Sequence, residues 1–350
     1  MMNYIIPDCF KNFKCIAEKC SDNCCIGWEI DVDDESLEYY KSLDCDLGKK
    51  IIKNIDTSGD AHFILGCDDR CPFLNKENLC DIILNLGEEK IPEICKNHPR
   101  FFTWTYDRRE MGIGLCCEEG ARLLFESPDQ LKIDVEYNIT DNLSDVLTYA
   151  RETAVSILQN RKFSIFSRLK NFLEFSKSID QCLITEDVEG IRNIAQGFRL
   201  EDKIPNGRGD FKKIIEIFKS LDAINDEWSQ YIAKIWENTD EINRKKNEFF
   251  GFYKGKMYEY EHLAVYYVSR YFLKAADDFD LLSKANFIVL NVLFEMIMDI
   301  NSYIENRYVD RIKISKFHSK EVEYSETNIA RIEDMSYEEF DDFGSFLEDF

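Results

Sequence analysis

Twelve of the thirteen cysteines fall within the first 117 residues, and the last is Cys182. That asymmetry splits the chain before any other pattern is read. The cysteine-bearing third has short apolar runs and acidic turns, too little continuous apolar surface for an ordinary core. Ligation of a metal by thiolates supplies the missing cross-links in such a segment. An odd cysteine count with no secretory leader in view argues against a disulfide framework and for metal binding or reactive thiols.

The spacing narrows the chemistry. The first cluster is Cys15-x4-Cys20-x3-Cys24-Cys25, followed by Trp28. Cys67, Cys71 and Cys80 form a second, Cys95 stands before Pro99-Arg100, and Cys116-Cys117 closes the set. Thiolates suit zinc, copper(I) and iron–sulfur clusters. The irregular gaps over about a hundred residues fit an iron–sulfur cluster better than a zinc ribbon, which favours two short pairs set by a hairpin. Zinc and redox-active thiols, notably Cys24, Cys25, Cys116 and Cys117, stay open as alternatives. The radical-initiating triplet C-x3-C-x2-C fails at its third position, where Gly27 stands.

From about residue 141 the chain reads as helical. Asp141-Asn142-Leu143-Ser144 is a helix start. Apolar residues then recur at helical spacing, with further helices expected over 226–248, 257–276 and 281–306. The last is apolar on most of its circumference and is placed at the centre of a bundle. Asn291, Glu295 and Asp299 within it argue against a bilayer span. The expected fold is therefore mainly α, an irregular cysteine-rich metal-binding module over 1–125 followed by a helical bundle over 126–320. The 321–350 segment carries 11 acidic groups and one basic group. It is expected as a solvated acidic tail or a short amphipathic helix.

The formal net charge of -23 disfavours binding to nucleic acid or anionic membranes. A cytoplasmic protein is expected. No glycine-rich loop follows a strand in the manner of a dinucleotide site.

Several blocks resemble the flagellin lysine N-methylase family. They are Phe13, Cys15, Cys20, Cys24-Cys25, Trp28, Ile30 and Asp33; Cys71, Phe73-Leu74, Cys80, Cys95 and Pro99-Arg100; and Leu115, Cys117, Glu119 and Ala121-Arg122-Leu123. Tyr258 to Asp278 and Phe317 to Asn328 are similar to the family's later blocks. The cysteine part is also similar to a broader group of zinc- or iron-chelating proteins. The resemblance implies methyl transfer from S-adenosylmethionine to lysines of flagellin. It also implies an iron–sulfur cluster, of 4Fe-4S type, held by Cys15, Cys20, Cys24, Cys25, Cys71, Cys80, Cys95 and Cys117. Cys116 departs from the pattern where a small polar residue is expected, and Tyr324 where a histidine is usual.

Methyl transfer to lysine needs a neutral amine, an in-line sulfonium and a site that excludes water. Tyr258, Tyr260 and Glu261 are the candidates for orienting that amine, with Tyr266 and Tyr267 beside them. His98 is read as a neighbour of the metal module and Arg100 as the partner of an acid. Trp28 is read as a lid on the cysteine loop, Asp33 as part of a helix start, and His62, His262 and His318 as structural.

Overall fold

The computed structural model describes residues 5–21, 23–105, 108–133, 142–202, 209–224, 226–340 and 343–347. They divide into two compact units. One comprises Phe13–Phe101 with Cys117–Glu119; the other comprises Met1–Asn12, Phe102–Cys116 and Gly120–Phe350. This division differs from a boundary near residue 125. The stretches on either side of the cysteine unit, up to Asn12 and from Phe102 to Cys116, belong to the helical one.

In the cysteine unit the elements are short: α1 (Asp34–Ser42), α2 (Asp46–Lys53), α3 (Asp81–Leu86) and α4 (Glu93–Asn97), with the two-residue strands β1 (Ile55–Asp56) and β2 (His62–Phe63). Asp33 caps α1 by accepting from Ser36 N, and its other oxygen accepts from Glu93 N at 2.8 Å, so one carboxylate ties α1 to α4. Burial opposes its ionisation, but the two amide donors and the Ser36 hydroxyl win and hold its pKa low. The core gathers Ile30, Tyr40, Ile51, Phe63, Phe73, Ile82 and Cys71, with Phe63 and Phe73 edge to face at 4.8 Å.

The helical unit begins with Ile5, which bridges β4 (Arg108–Ile113) in parallel at Glu110; β4 pairs with β3 (Arg100–Thr105). Helix α5 (Glu118–Phe125) leads into α6 (Leu143–Leu158), capped by Asn142 through Ser144 N; Asp141 lies outside the described residues. There follow α7 (Ile165–Leu183), α8 (Val188–Gly197) and α9 (Lys212–Lys219). The expected 226–248 helix is two, α10 (Asp226–Glu237) and α11 (Thr239–Tyr253), broken at Asn238, whose amide turns to Asn301 at 2.9 Å. Then come α12 (Tyr258–Tyr271), α13 (Ala275–Asp278), α14 (Leu281–Asn306), α15 (Arg311–Val322), α16 (Glu326–Glu339) and α17 (Phe343–Phe346).

Helix α14 is the axis, packed by α7, α9, α11, α12, α15 and α16. It is long and apolar enough to cross a membrane, with mean hydropathy 1.6 over its most apolar window, contrary to the expectation from its polar residues. That window is 94% buried inside the protein, so neighbouring helices take up its apolar circumference. The acidic 321–350 segment is not a solvated tail over its described part. Asn328, Ile332, Met335, Phe340, Phe343 and Leu347 are buried, and Lys284 of α14 pairs with Glu333 of α16 at 3.0 Å. Its acids dominate the composition, yet its apolar residues decide where it goes.

Candidate functional site

Five thiols converge in the cysteine unit. Cys25 shares a hydrogen bond with Cys24, and this bond, then burial, then the charges of Cys24, Cys71 and Cys95, push its thiol pKa up. Burial does the same to Cys95, reinforced by Cys71, Cys80 and Cys24. Cys71 is pushed up to about 11 by burial, with Cys80 adding to it. Such mutual influence requires proximity. Gly27, at φ +89°, supplies the left-handed turn after Cys24-Cys25 that a side-chain-bearing residue resists. Trp28 then folds back so that its indole N–H donates to the Cys24 carbonyl, and its ring lies 5.2 Å from His98.

The other expected ligands sit differently. Cys15 is exposed, its sulfur accepting from Ala17 N at 3.4 Å. Cys20 points its thiol at Glu118, 3.8 Å away, and Cys117 opens the short 117–119 segment that folds with this unit. Arg100 does not take up an acid as expected; it donates to the Lys96 carbonyl at 3.0 Å and lies over the Phe13 ring. No disulfide is seen among the described residues. Cys71, with Cys25, Cys80 and Cys95 packed against the same core and Cys24 exposed beside Cys25, has the chemistry of a thiolate metal site. Among the described residues, however, no three of His, Cys, Asp and Glu stand together at ligand spacing. The donor types fit a metal or cluster, and the arrangement is looser than a closed site.

The second constellation lies inside the helical unit. Glu295 and Asp299 are four apart and share one face of α14, while Arg311, Ser315 and His318 share a face of α15. Arg311 bridges both carboxylates, and Ser315 donates to Glu295 at 2.5 Å. From α12, Tyr260 donates to Asp299 at 2.6 Å and Tyr267 to Glu295 at 3.1 Å. Burial raises both phenol pKa values. Further along, Tyr266 donates to Glu323 at 2.8 Å, and Arg270 pairs with the same carboxylate at 2.7 Å. Cys116 and Tyr324, the two departures noted in the sequence, meet each other: the thiol donates to the phenol oxygen at 3.0 Å.

The tyrosine and glutamate candidates therefore separate. Tyr260 enters the buried network. Tyr258 donates to the Phe125 carbonyl at 3.2 Å. Glu261 is clamped by Arg161 and Arg168 at 2.8 and 2.7 Å, which marks it as a structural ion pair. The sequence reading missed Glu295, Asp299, Arg311 and His318. Their four- and seven-residue spacing along two helices was the available signal.

The fold and these two centres define a two-part protein, a helical bundle with a polar core and a thiol-gathering unit whose residues interrupt the bundle's in sequence. A family profile described as FliB lysine N-methylase C-terminal domain matches residues 151–348, and the chain belongs to this family. It is 23% identical over 183 residues to the flagellar biosynthetic protein FliU of Salmonella muenchen, covering 50% of this chain and 94% of that protein. It is 22% and 24% identical to the lysine-N-methylases of Salmonella choleraesuis and Salmonella typhimurium, over 134 and 141 residues. These two alignments cover 36% of this chain and 33% of each relative, so the matched part spans about a third of those proteins' length. No solved structure matches the chain.

Proposed function

We propose that the protein is an S-adenosylmethionine-dependent protein-lysine N-methyltransferase acting on flagellin, working in the cytoplasm. The observation that carries this reading is the family match over 151–348. The reaction is a polar displacement: a neutral amine attacks the methyl carbon of a sulfonium, and the carbon–sulfur bond breaks. It needs a dry site with groups that hold the amine and take its proton. The buried network on α12, α14 and α15 supplies such groups. We assign a 4Fe-4S cluster, with zinc as the alternative, to the cysteine unit, held by members of the set Cys24, Cys25, Cys71, Cys80 and Cys95. Bound there, it would order the short elements around it.

Anaerobically purified protein, incubated with flagellin and S-adenosylmethionine, is expected to yield lysines bearing added methyl groups by mass spectrometry. Unmodified flagellin from a folded, metal-loaded preparation would overturn the reading for this substrate. The convergent thiols alone favour a second reading, a metal-binding adaptor without catalysis. Metal analysis separates the two: iron with acid-labile sulfide supports the first, and a single colourless zinc supports the second.

A further inference from the structure

We infer that Glu295 and His318 form a carboxylate–imidazole dyad whose free nitrogen receives the proton of a lysine amine, in a site walled by Trp228, Phe218 and Phe294. This rests on the lysine N-methylase reading and adds a catalytic residue to it. The Nδ1 atom of His318 lies 3.2 Å from Glu295 Oε1. Glu295 is fixed as a carboxylate by Arg311 and Ser315 on its other oxygen, and a carboxylate only accepts. Nδ1 therefore carries the hydrogen and Nε2 holds a lone pair. Tyr267, 3.3 Å from Nδ1, donates to the same carboxylate oxygen and closes that side of the ring.

Nε2 has no hydrogen-bond partner, although His318 is fully buried. Leaving a polar atom unpaired in a core costs about 1–3 kcal/mol. Ser176 Oγ and Asn291 Oδ1 are also buried without a partner, and what sets Nε2 of His318 apart is the carboxylate on the far side of its ring. Three aromatic rings pack around the imidazole. Phe218, Phe294 and Trp228 lie 5.7, 5.9 and 6.3 Å from the imidazole, centre to centre. Aromatic walls attract an ammonium and its methylated products through their ring faces. His262 also leaves its Nε2 unpartnered, but its Nδ1 faces the Leu124 carbonyl instead of a carboxylate.

Trp228 sits on α10, at the edge of the bundle against α9 and α11. It touches Phe317 at 5.4 Å, which touches Tyr231 at 5.5 Å, and both of these are half-buried. A lysine stem enters by displacing Phe317 and replacing its apolar contacts with methylene groups. The dry site that keeps His318 neutral also lowers the pKa of the incoming ammonium. The proton passes from lysine Nζ to Nε2. The freed lone pair attacks the methyl carbon of the sulfonium donor, and the electron pair of the broken bond stays on sulfur as a thioether.

The chain has four histidines, so their side-chain nitrogens are readily assigned by NMR in the full-length protein. His318 is expected as the neutral Nδ1–H tautomer at pH 7, with its Nε2 resonance shifting on addition of n-butylamine. An Nε2–H tautomer, or no response to the amine, overturns the inference. In the activity assay, His318→Asn keeps a donor toward Glu295 and removes the base. It should lower kcat about 100-fold or more with KM little changed. Trp228→Leu should mainly raise KM. Wild-type kcat in folded His318→Asn overturns the assignment. Should His318 respond to n-butylamine while wild-type protein methylates no lysine, the amine site stands and the lysine N-methylase reading fails.

Discussion

The two units solve the same problem with opposite means. The helical unit buries charge: Glu295, Asp299 and Arg311 sit at its centre, each answered by a partner on another helix. The cysteine unit, Glu119 apart, keeps its described charged groups partly or fully exposed and gathers thiols around a small aromatic core. A bundle with abundant apolar surface tolerates an expensive polar centre and uses it to fix helix register. Elements of two to nine residues have no such reserve, and bonds through sulfur substitute for area. The difference teaches where each unit is fragile: one at a salt bridge, the other at a ring or a sulfur.

The largest effect is expected from Arg311→Leu. It strands two carboxylates in the core and should cost about 3–5 kcal/mol, read as a lowered urea midpoint for loss of helical circular dichroism. A change below about 1 kcal/mol would mean the network is not the keystone of the bundle. Phe73→Ala removes a fully buried ring from the cysteine unit and should cost about 3 kcal/mol. Should metal-loaded protein instead tolerate it in a thermal melt, sulfur bonds outweigh the core there.

A pH effect follows from His318. Burial pushes its pKa below the ordinary value near 6.5 of the unfolded chain. Below pH 6.5 the unfolded state takes up a proton that the folded state refuses. Stability therefore falls as pH drops below 6.5. His318→Asn should flatten that part of the profile in chemical denaturation at pH 4 to 7. The smallest effect is Asp33→Ala, which loses the α1 cap and the tie to α4. About 1 kcal/mol is expected from the shift in thermal midpoint, confined to the cysteine unit.

The helices were legible because their apolar residues recur at 3.6-residue spacing, and the central place of α14 followed from its nearly uniform apolar surface. Asn142 announced α6. Asn238 announced nothing, because its helix-breaking bond goes to Asn301 on a distant helix. The buried network was illegible for the same reason: Glu295 and His318 are 23 positions apart, and a single sequence does not say that α14 and α15 lie face to face. The cysteines could be seen as a set. Which five meet depends on how α3 and α4 return to the Cys24-Cys25 loop, and that is a property of the folded chain.

The interleaving of the units bears on the order in which the protein is made. Residues 5–12 emerge before their partners: Ile5 bonds to Arg109 and Met111, and Phe10 packs edge to face on Tyr266. This segment therefore meets Arg109 and Met111 after about 100 further residues and Tyr266 only after some 250. The cysteine unit is complete except for its 117–119 return long before that. Its assembly precedes that of the bundle, and closure of the bundle around residues 5–12 is a late event.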